Sequence, residues 1–334
     1  MYSERIKLYR EIEKLRNSKI LVYITGDKPA METRIHAEVL DLLVEHLDTF
    51  QETKKISLYL YSTGGNTLAG WGIVNLIRQF CKEFEVIIPS KAYSTATLIC
   101  MGANNLVMTK QATLSPIDPS ITSPLNPQVP GGTLQQRVGL SVEAIAGYFG
   151  LAKEYAGLIT EGQLKEVMIK LTDHVHPVAL GEVFRARTQI QMLGKRLLNF
   201  HMDDEEKIAT IVKFLCSESG SHDYTINRKE AKEELSLPIE VPDYKFYKII
   251  KAVYDDIRNE LELGTGFEPN LILGSENSVD FKISRALIES ITTGKHTFIT
   301  TGKISKHEIQ TPQGPVINPM INIISQGWRY EKNN

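Results

Sequence analysis

Two stretches decide the reading of this chain: "SLYLYSTGGNT" (Ser57–Thr67) and "KAYSTATLICMGA" (Lys91–Ala103). The residues leading into the first, "KISLYLY", alternate, with Ile56, Leu58 and Leu60 on one face, and read as a strand. That strand ends in the glycine pair Gly64 and Gly65. Beyond it, "TLAGWGIVNLIRQF" carries Leu68, Trp71, Val74 and Ile77 three residues apart, a helical recurrence. The second stretch follows "EFEVIIP", a buried strand, and opens a short apolar helix at Ser94. A glycine pair and a helix-start serine thus stand at the ends of two successive strands. Glycines lack a Cβ, so their backbone can approach a ligand and aim N–H groups at it. Serine is a preferred N-cap. A hydroxyl beside the Thr95 amide is also placed to attack a carbonyl and have the resulting negative charge held. Both readings stand on these residues alone: turn chemistry with capping, or an oxyanion hole with a nucleophile.

Working outward, "KILVYITG" (Lys19–Gly26) reads as a buried strand and "NLVMT" as another. "METRIHAEVLDLLVEHLDTF" reads as a helix through Ile35, Val39, Leu42, Leu43 and Leu47. The order β-α-β-α-β-α-β predicts a parallel sheet with crossover helices. Five prolines and two adjacent glycines between Ser115 and Gly132 predict loop. Helices follow in "SVEAIAGYFGLAKEYAGL", "LKEVMIKL" and "PVALGEVFRARTQIQMLGKRLL". "DDEE" (Asp203–Glu206) suits a helix start, where the dipole favours acid. Asn227 stands three residues before Glu230, a capping-box spacing. "VPDYKFYKIIKAVYDDIRNELEL" is helical, and the last seventy residues hold only short β-prone runs, "HTFIT" and "NIIS".

The 334 residues suffice for one large or two ordinary domains, and 42% hydrophobic with 23% charged residues is a soluble globular composition. A net charge of −2 offers no global basic field for nucleic acid or an acidic membrane. Cys81, Cys100 and Cys216 are widely spaced and contain no CxxC, which fits neither a zinc cluster nor a disulfide framework and points to a reducing cytoplasm. The N-terminus is a charged amphipathic helix without a signal-peptide core, and no apolar window is long enough to span a bilayer. The expectation is a cytoplasmic protein with no membrane span, no nucleic-acid partner and no cofactor.

"STGGNTLAGWGI" followed by "VIIPSKAYSTATLICMGANNLVMTKQATLSPIDPSI" resembles the Clp-protease/crotonase superfamily, and within it the serine dehydrogenase proteinases, relatives of the signal peptide peptidases. That family shows T-P-G-G, A-x-S-[AT]-[GA]-T-L-I and G-P-[IV]-D-P. Here S-T-G-G, A-Y-S-T-A-T-L-I and S-P-I-D-P stand in those places, and "SHDYTINRKEAKEELSLPI" (Ser221–Ile239) is similar to a further family segment. The resemblance implies an α/β Clp/crotonase-like fold of repeated ββα/βαβ units with a mostly helical C-terminal extension. Its core would take residues 1–200, completed by about 215–240 of the C-terminal part 201–334. It implies a serine endopeptidase acting on a peptide or protein substrate and assembled as a homo-oligomer. Ser94 would attack, and the amides of Gly64 or Gly65 and of Thr95 would hold the oxyanion.

The histidine that Clp proteases carry after the serine is missing from "SPIDPS". The triad aspartate of that family sits in a segment whose spacing "DYTINRKEA" reproduces from Asp223, so His222, its neighbour, is the favoured base with Asp223. A serine–lysine dyad through Lys153, or less readily Lys170, is the alternative. "AYSTA" is not G-x-S-x-G, so the α/β-hydrolase elbow is not indicated. "DHVHP" (Asp173–Pro177) reads as a helix entry rather than a metal site. An acyl-thioester enzyme of crotonase type, or a non-catalytic scaffold with the same fold, are the competing functions.

Overall fold

In a computed structural model, residues 2–331 are described apart from 52, 118–119, 132, 134, 219–220, 222 and 312–313. The chain divides into two compact units, one of residues 1–113 with 227–334 and one of residues 114–226.

The first unit opens with α1 (Tyr2–Arg16) and then alternates: β1 (Lys19–Thr25), α2 (Val39–Leu47), β2 (Lys55–Tyr61), α3 (Thr67–Phe80), β3 (Glu83–Ile88), α4 (Thr95–Met101) and β4 (Asn105–Met108). The expected α/β crossover order is what forms. β1 to β4 run parallel in the order β1-β2-β3-β4. Their residues are nearly all apolar because both faces are covered, as parallel sheets require. Ile20, Val22, Ile24, Tyr59, Tyr61, Ile87 and Val107 share one buried cluster with Tyr9 and Ile12 of α1. Strand alternation turns Leu21, Leu58, Leu60 and Val86, all fully buried, to the opposite face.

The second unit is built around α5 (Val142–Gly150), α6 (Glu161–Thr172), α7 (Pro177–Leu198) and α8 (Glu205–Lys213). Leu140, Val142, Val175, Ala179, Leu180 and Val183 form its apolar cluster. The helix starts follow the sequence. Asp204 Oδ1 accepts from the Lys207 amide at 3.0 Å, and His176 Nδ1 accepts from the Val178 amide at 3.2 Å with Pro177 in the first turn. The "DHVHP" histidine is a cap.

Returning to the first unit, the chain forms α9 (Arg228–Glu233), β5 (Ile239–Glu240), α10 (Tyr244–Leu261), α11 (Pro269–Leu273) and three long strands, β6 (Ser278–Ser290), β7 (Gly294–Thr311) and β8 (Gly314–Glu331). Asn227 caps α9, its Oδ1 accepting from the amides of Lys229 and Glu230. α10 packs Phe246, Ile249, Ile250, Val253 and Ile257 onto the cluster of α1 and the sheet. The strands complete an eight-stranded sheet ordered β5-β4-β3-β2-β1-β6-β7-β8, with β6 antiparallel to β1. The C-terminal extension is thus helical only as far as Leu273; an antiparallel meander fills the region where the sequence shows only short β-prone runs.

α2 is pinned to this meander through a buried histidine pair. His46 Nδ1 lies 2.7 Å from Ser290 Oγ and its Nε2 lies 3.0 Å from His296 Nδ1. His296 Nε2 in turn reaches Glu45 Oε2 at 3.3 Å, and its ring lies against Tyr330. Burial, and secondarily the neighbouring His296, push the His46 pKa down to about 3. The unfolded chain would bind a proton here near pH 6.5 while the native chain does not. The stability is therefore complete above that pH and is lost as pH falls towards 3, amounting to about 2–3 kcal/mol by pH 4.5. Asp27, Glu85 and Glu260 are held low by their cationic and hydrogen-bonding partners against the opposing pull of burial, so the stability they contribute is lost as pH falls through the ordinary carboxylate range and below it. Between pH 6.5 and 4.5 the melting temperature is expected to fall, and His46→Gln is expected to flatten that fall. Thermal melts at stepped pH check it, and an equally steep variant would contradict the assignment.

Candidate active site

Ligands of open α/β sheets bind beyond the carboxyl ends of the strands. At that end of β2 the chain runs through Ser62, Thr63, Gly64 and Gly65 into α3; at that end of β3 it runs through Lys91 to Tyr93 into Ser94 and α4. The two segments are tied as a continuation of the sheet. The Ser62 amide donates to the Lys91 carbonyl at 3.1 Å, and the Tyr93 amide donates to the Ser62 carbonyl at 2.9 Å. On the other flank, Ile35 forms a parallel bridge with Gly65. The glycine turn therefore lies between Ile35 and Ser94.

Both glycines are required by space and by backbone. Gly64 has φ +107°, and a Cβ there would stand 2.8 Å from Ser94 Cβ and 3.2 Å from Ser94 Oγ. Gly65 has φ +155°, and a Cβ there would stand 2.3 Å from the Ile35 carbonyl oxygen. Gly64 therefore lies against Ser94, and Gly65 against Ile35.

Ser94 has φ 51° and ψ −115°, a conformation that side-chain-bearing residues avoid and that costs about 1–3 kcal/mol. It occupies the N-cap position of α4, yet its side chain makes no capping hydrogen bond, and the residue is half-buried. A serine selected for capping would adopt extended backbone and bond the second or third amide of the helix. This serine pays strain without that return. Strained strand-to-helix turns are how a nucleophilic hydroxyl is presented above a sheet, here without the G-x-S-x-G pattern.

The amide accounting separates the two glycines. The Gly64 N–H donates to Ser62 Oγ at 3.0 Å, and Ser62 Oγ also accepts from Thr25 Oγ1 at 2.7 Å. The Gly64 carbonyl accepts from the Ile35 amide at 2.9 Å. In a trans peptide the C=O and N–H point in opposite directions, and among the described residues there is no cis peptide bond. With the Gly64 carbonyl facing Ile35, the Gly65 N–H faces the Ser94 side. Among the described residues neither the Gly65 N–H nor the Thr95 N–H donates to a protein acceptor. Thr95 Oγ1 donates to the Gly65 carbonyl at 2.7 Å, which locks the two donors together.

Three residues here escaped the sequence reading. Ile35 was counted as helical, but Met31–Ala37 precede α2 and carry Ile35 alongside the glycine turn. Thr25 and Ser62, 1% and 0% exposed, hold the turn from below. The available signal for Ser62 was the motif itself: Ser62 stands where T-P-G-G has threonine, which also carries a hydroxyl, and here that hydroxyl accepts the Gly64 N–H. Ser62→Ala would leave that amide without its acceptor. The expected result is a ten- to hundredfold drop in kcat at nearly constant KM, with about 1–3 kcal/mol of stability lost. Ser62→Thr is expected to restore the rate. Steady-state kinetics on the three proteins check it, and a change confined to KM would count against a positioning role.

The base candidates lie in the second unit. Lys153 falls in a π-helical turn after α5 and is exposed. Lys170 is exposed and pairs with Asp173 Oδ2 at 3.2 Å. Asp223 is exposed, with its amide donating to Ser221 Oγ. His222 lies outside the described residues.

Residues 1–130 match the family model of the ClpP-like SDH-type serine proteinases. Over this stretch the chain is similar to that family. The matched residues include Gly64, Gly65, Ser94 and Thr95 and exclude Lys153, His222 and Asp223. Two uncharacterized proteins of Methanocaldococcus jannaschii are similar to the chain. One is 23% identical over 261 residues, covering 76% of this chain and 80% of the relative; the other is 27% identical over 124 residues, covering 35% and 42%. Among solved structures, a mutant of the 1510-N membrane-bound stomatin-specific protease aligns at 15% identity and a TM-score of 0.37, covering 68% of this chain and 83% of that one. A ClpP1 mutant from Listeria monocytogenes aligns at 15% identity and a TM-score of 0.36, covering 71% and 99%. Among the described residues, no helix is long and apolar enough to cross a membrane.

Proposed function

We propose that this chain is a serine peptidase. Ser94 Oγ attacks the carbonyl of a peptide bond, and the Gly65 and Thr95 amides receive the oxyanion of the tetrahedral intermediate. The observation that carries the reading is the strained Ser94 backbone held against Gly64, with no capping bond made by its side chain. The two uncommitted amides beside it support the same assignment, since preorganised donors facing developing charge are the largest single contribution in acyl transfer, about 3–4 kcal/mol for each donor removed.

The base proposed for the Ser94 proton is His222, oriented by Asp223. The two candidate bases are separated by substitution: His222→Gln abolishes turnover if His222 is the base, and Lys153→Met abolishes it if Lys153 is. The collapse of the intermediate returns that proton to the leaving amine, and water then repeats the sequence on the acyl-enzyme. The substrate is a peptide or protein segment, the enzyme requires no cofactor, and its working form is a cytoplasmic homo-oligomer. Labelling with a fluorophosphonate probe tests the reading. Covalent adduct on Ser94 in the wild-type chain supports it, and an unmodified Ser94 in the assembled protein overturns it.

A further inference from the structure

The second unit holds a cavity of ≈ 460 Å³ between α5, α6 and α7. That size lies in the range in which small ligands are bound. Its walls are apolar, with Ile145 and Phe149 from α5, Met168 from α6, and Leu180 and Phe184 from α7. Phe184 and Met168 are 68% and 42% exposed, so the cavity is not sealed from solvent.

Two residues in these walls are not explained by packing. Arg187 is the one charged residue among the described lining. Its Nη2 donates to Ser217 Oγ at 2.9 Å, its Nε is shielded from water with no acceptor, and no described carboxylate pairs with it. A half-buried guanidinium has five donors to satisfy, and leaving them unanswered away from water is destabilising. Gly181 also lines the cavity, inside α7, where only proline is a poorer helix former. A Cβ at Gly181 would meet nothing within 4 Å, so no contact within the chain demands glycine there. What the glycine leaves is open space in the wall, five residues before an unpaired cation.

We propose that this cavity binds a free long-chain carboxylic acid. The acyl chain lies among α5, α6 and α7, and the carboxylate pairs with the Arg187 guanidinium. An apolar pocket with one polar group that fixes orientation is the usual design for such a ligand. A carboxylate supplies the counter-charge Arg187 lacks, and its two oxygens match the guanidinium fork. A peptide terminus would bring the same head group, but its backbone N–H and C=O would be stranded against walls with no other charged group to meet them. An apolar helix of a second copy would fill the walls and leave the cation unpaired. The assignment does not rest on the chemistry at Ser94.

Calorimetric titration of the full chain with decanoate and dodecanoate, below their micellar concentrations, is expected to show one saturable site per chain. Affinity should rise about fourfold for each methylene added. Arg187→Met keeps an apolar stem, and is expected to weaken dodecanoate binding by about ten- to hundredfold and to erase the preference for decanoate over 1-decanol. Gly181→Leu fills the cavity from a position with room for a side chain, and is expected to abolish binding while the melting temperature holds or rises. A diazirine-bearing fatty acid crosslinked to the wild-type chain reads the site without any variant, and its adducts are expected on α5, α6 or α7. No saturable binding, wild-type affinity in Arg187→Met or in a folded Gly181→Leu, or adducts confined to other segments would each overturn the proposal. Tighter binding of an apolar peptide terminus than of dodecanoate, or dodecanoate affinity that falls as protein concentration rises, would give the cavity to a peptide or to a second copy and overturn it equally.

Discussion

Ser94→Ala is expected to abolish peptide hydrolysis, with kcat falling by a factor of ~10⁵–10⁶, the range seen when a serine nucleophile is removed from an intact site. The fold should survive. Ser94 is half-buried and its side chain makes no capping hydrogen bond to α4, so Ser94→Ala removes no cap from the helix start. Removing a hydroxyl from a strained residue leaves the strain in place, and the melting temperature is expected to move by only a few degrees. Fluorophosphonate labelling should vanish together with turnover. A residual rate well above the uncatalysed one is consistent with two amides still polarising the carbonyl. Full turnover in Ser94→Ala on an acyl thioester, with no labelling of the wild type, would instead indicate a chemistry that needs the amides and not the hydroxyl.

The parts of the fold that the sequence made readable are those whose two sides differ. α3 and α10 each bury one stripe, so their apolar residues recur at helical spacing. β1 and β2 are buried on both faces and stand out as short apolar runs bounded by glycine or by "STGG". β7 offers no such contrast. It buries His296 and Thr297 on opposite faces near its start, then passes through Ile304 into a stretch where Ser305 and Lys306 are only half-buried, so neither a period of two nor a continuous run marks it. Length hid it as well, since an 18-residue strand paired on both sides for much of its course is far longer than the usual five or six.

The site was legible in kind and not in detail. Ser94 and the glycine pair announced themselves through their position at strand ends. Which glycine amide remains available depends on Ser62 Oγ and on the Ile35 amide, two contacts made across the turn by residues distant in the helix pattern. Ile35 in particular sat at a plausible helical position four residues before Val39. Tertiary pairing with Gly65 overrode that local periodicity and delayed the start of α2.

Gly64→Ala is the substitution that separates activity from stability. Its Cβ would stand 2.8 Å from Ser94 Cβ, 3.1 Å from the Tyr93 carbonyl oxygen and 3.2 Å from Ser94 Oγ, so something in the nucleophile segment has to move. The φ of +107° adds backbone strain for any residue with a side chain. A displacement of the attacking oxygen by about 1 Å is enough to lower kcat by ~10², and a skewed Ser94 should slow fluorophosphonate labelling in proportion. Gly65→Ala makes the useful contrast. Its Cβ would meet the backbone of Ile35, at 2.3 Å from the carbonyl oxygen and 2.4 Å from the nitrogen, and neither atom can yield without breaking the bridge between Ile35 and the turn. That variant is expected to lose several kcal/mol of stability along with its activity, whereas Gly64→Ala should remain folded at the growth temperature and fail chiefly in catalysis. Parallel thermal melts and labelling rates distinguish them. If Gly64→Ala labels at the wild-type rate, Ser94 does not lean on the glycine turn, and the oxyanion assignment to the Gly65 amide falls with that contact.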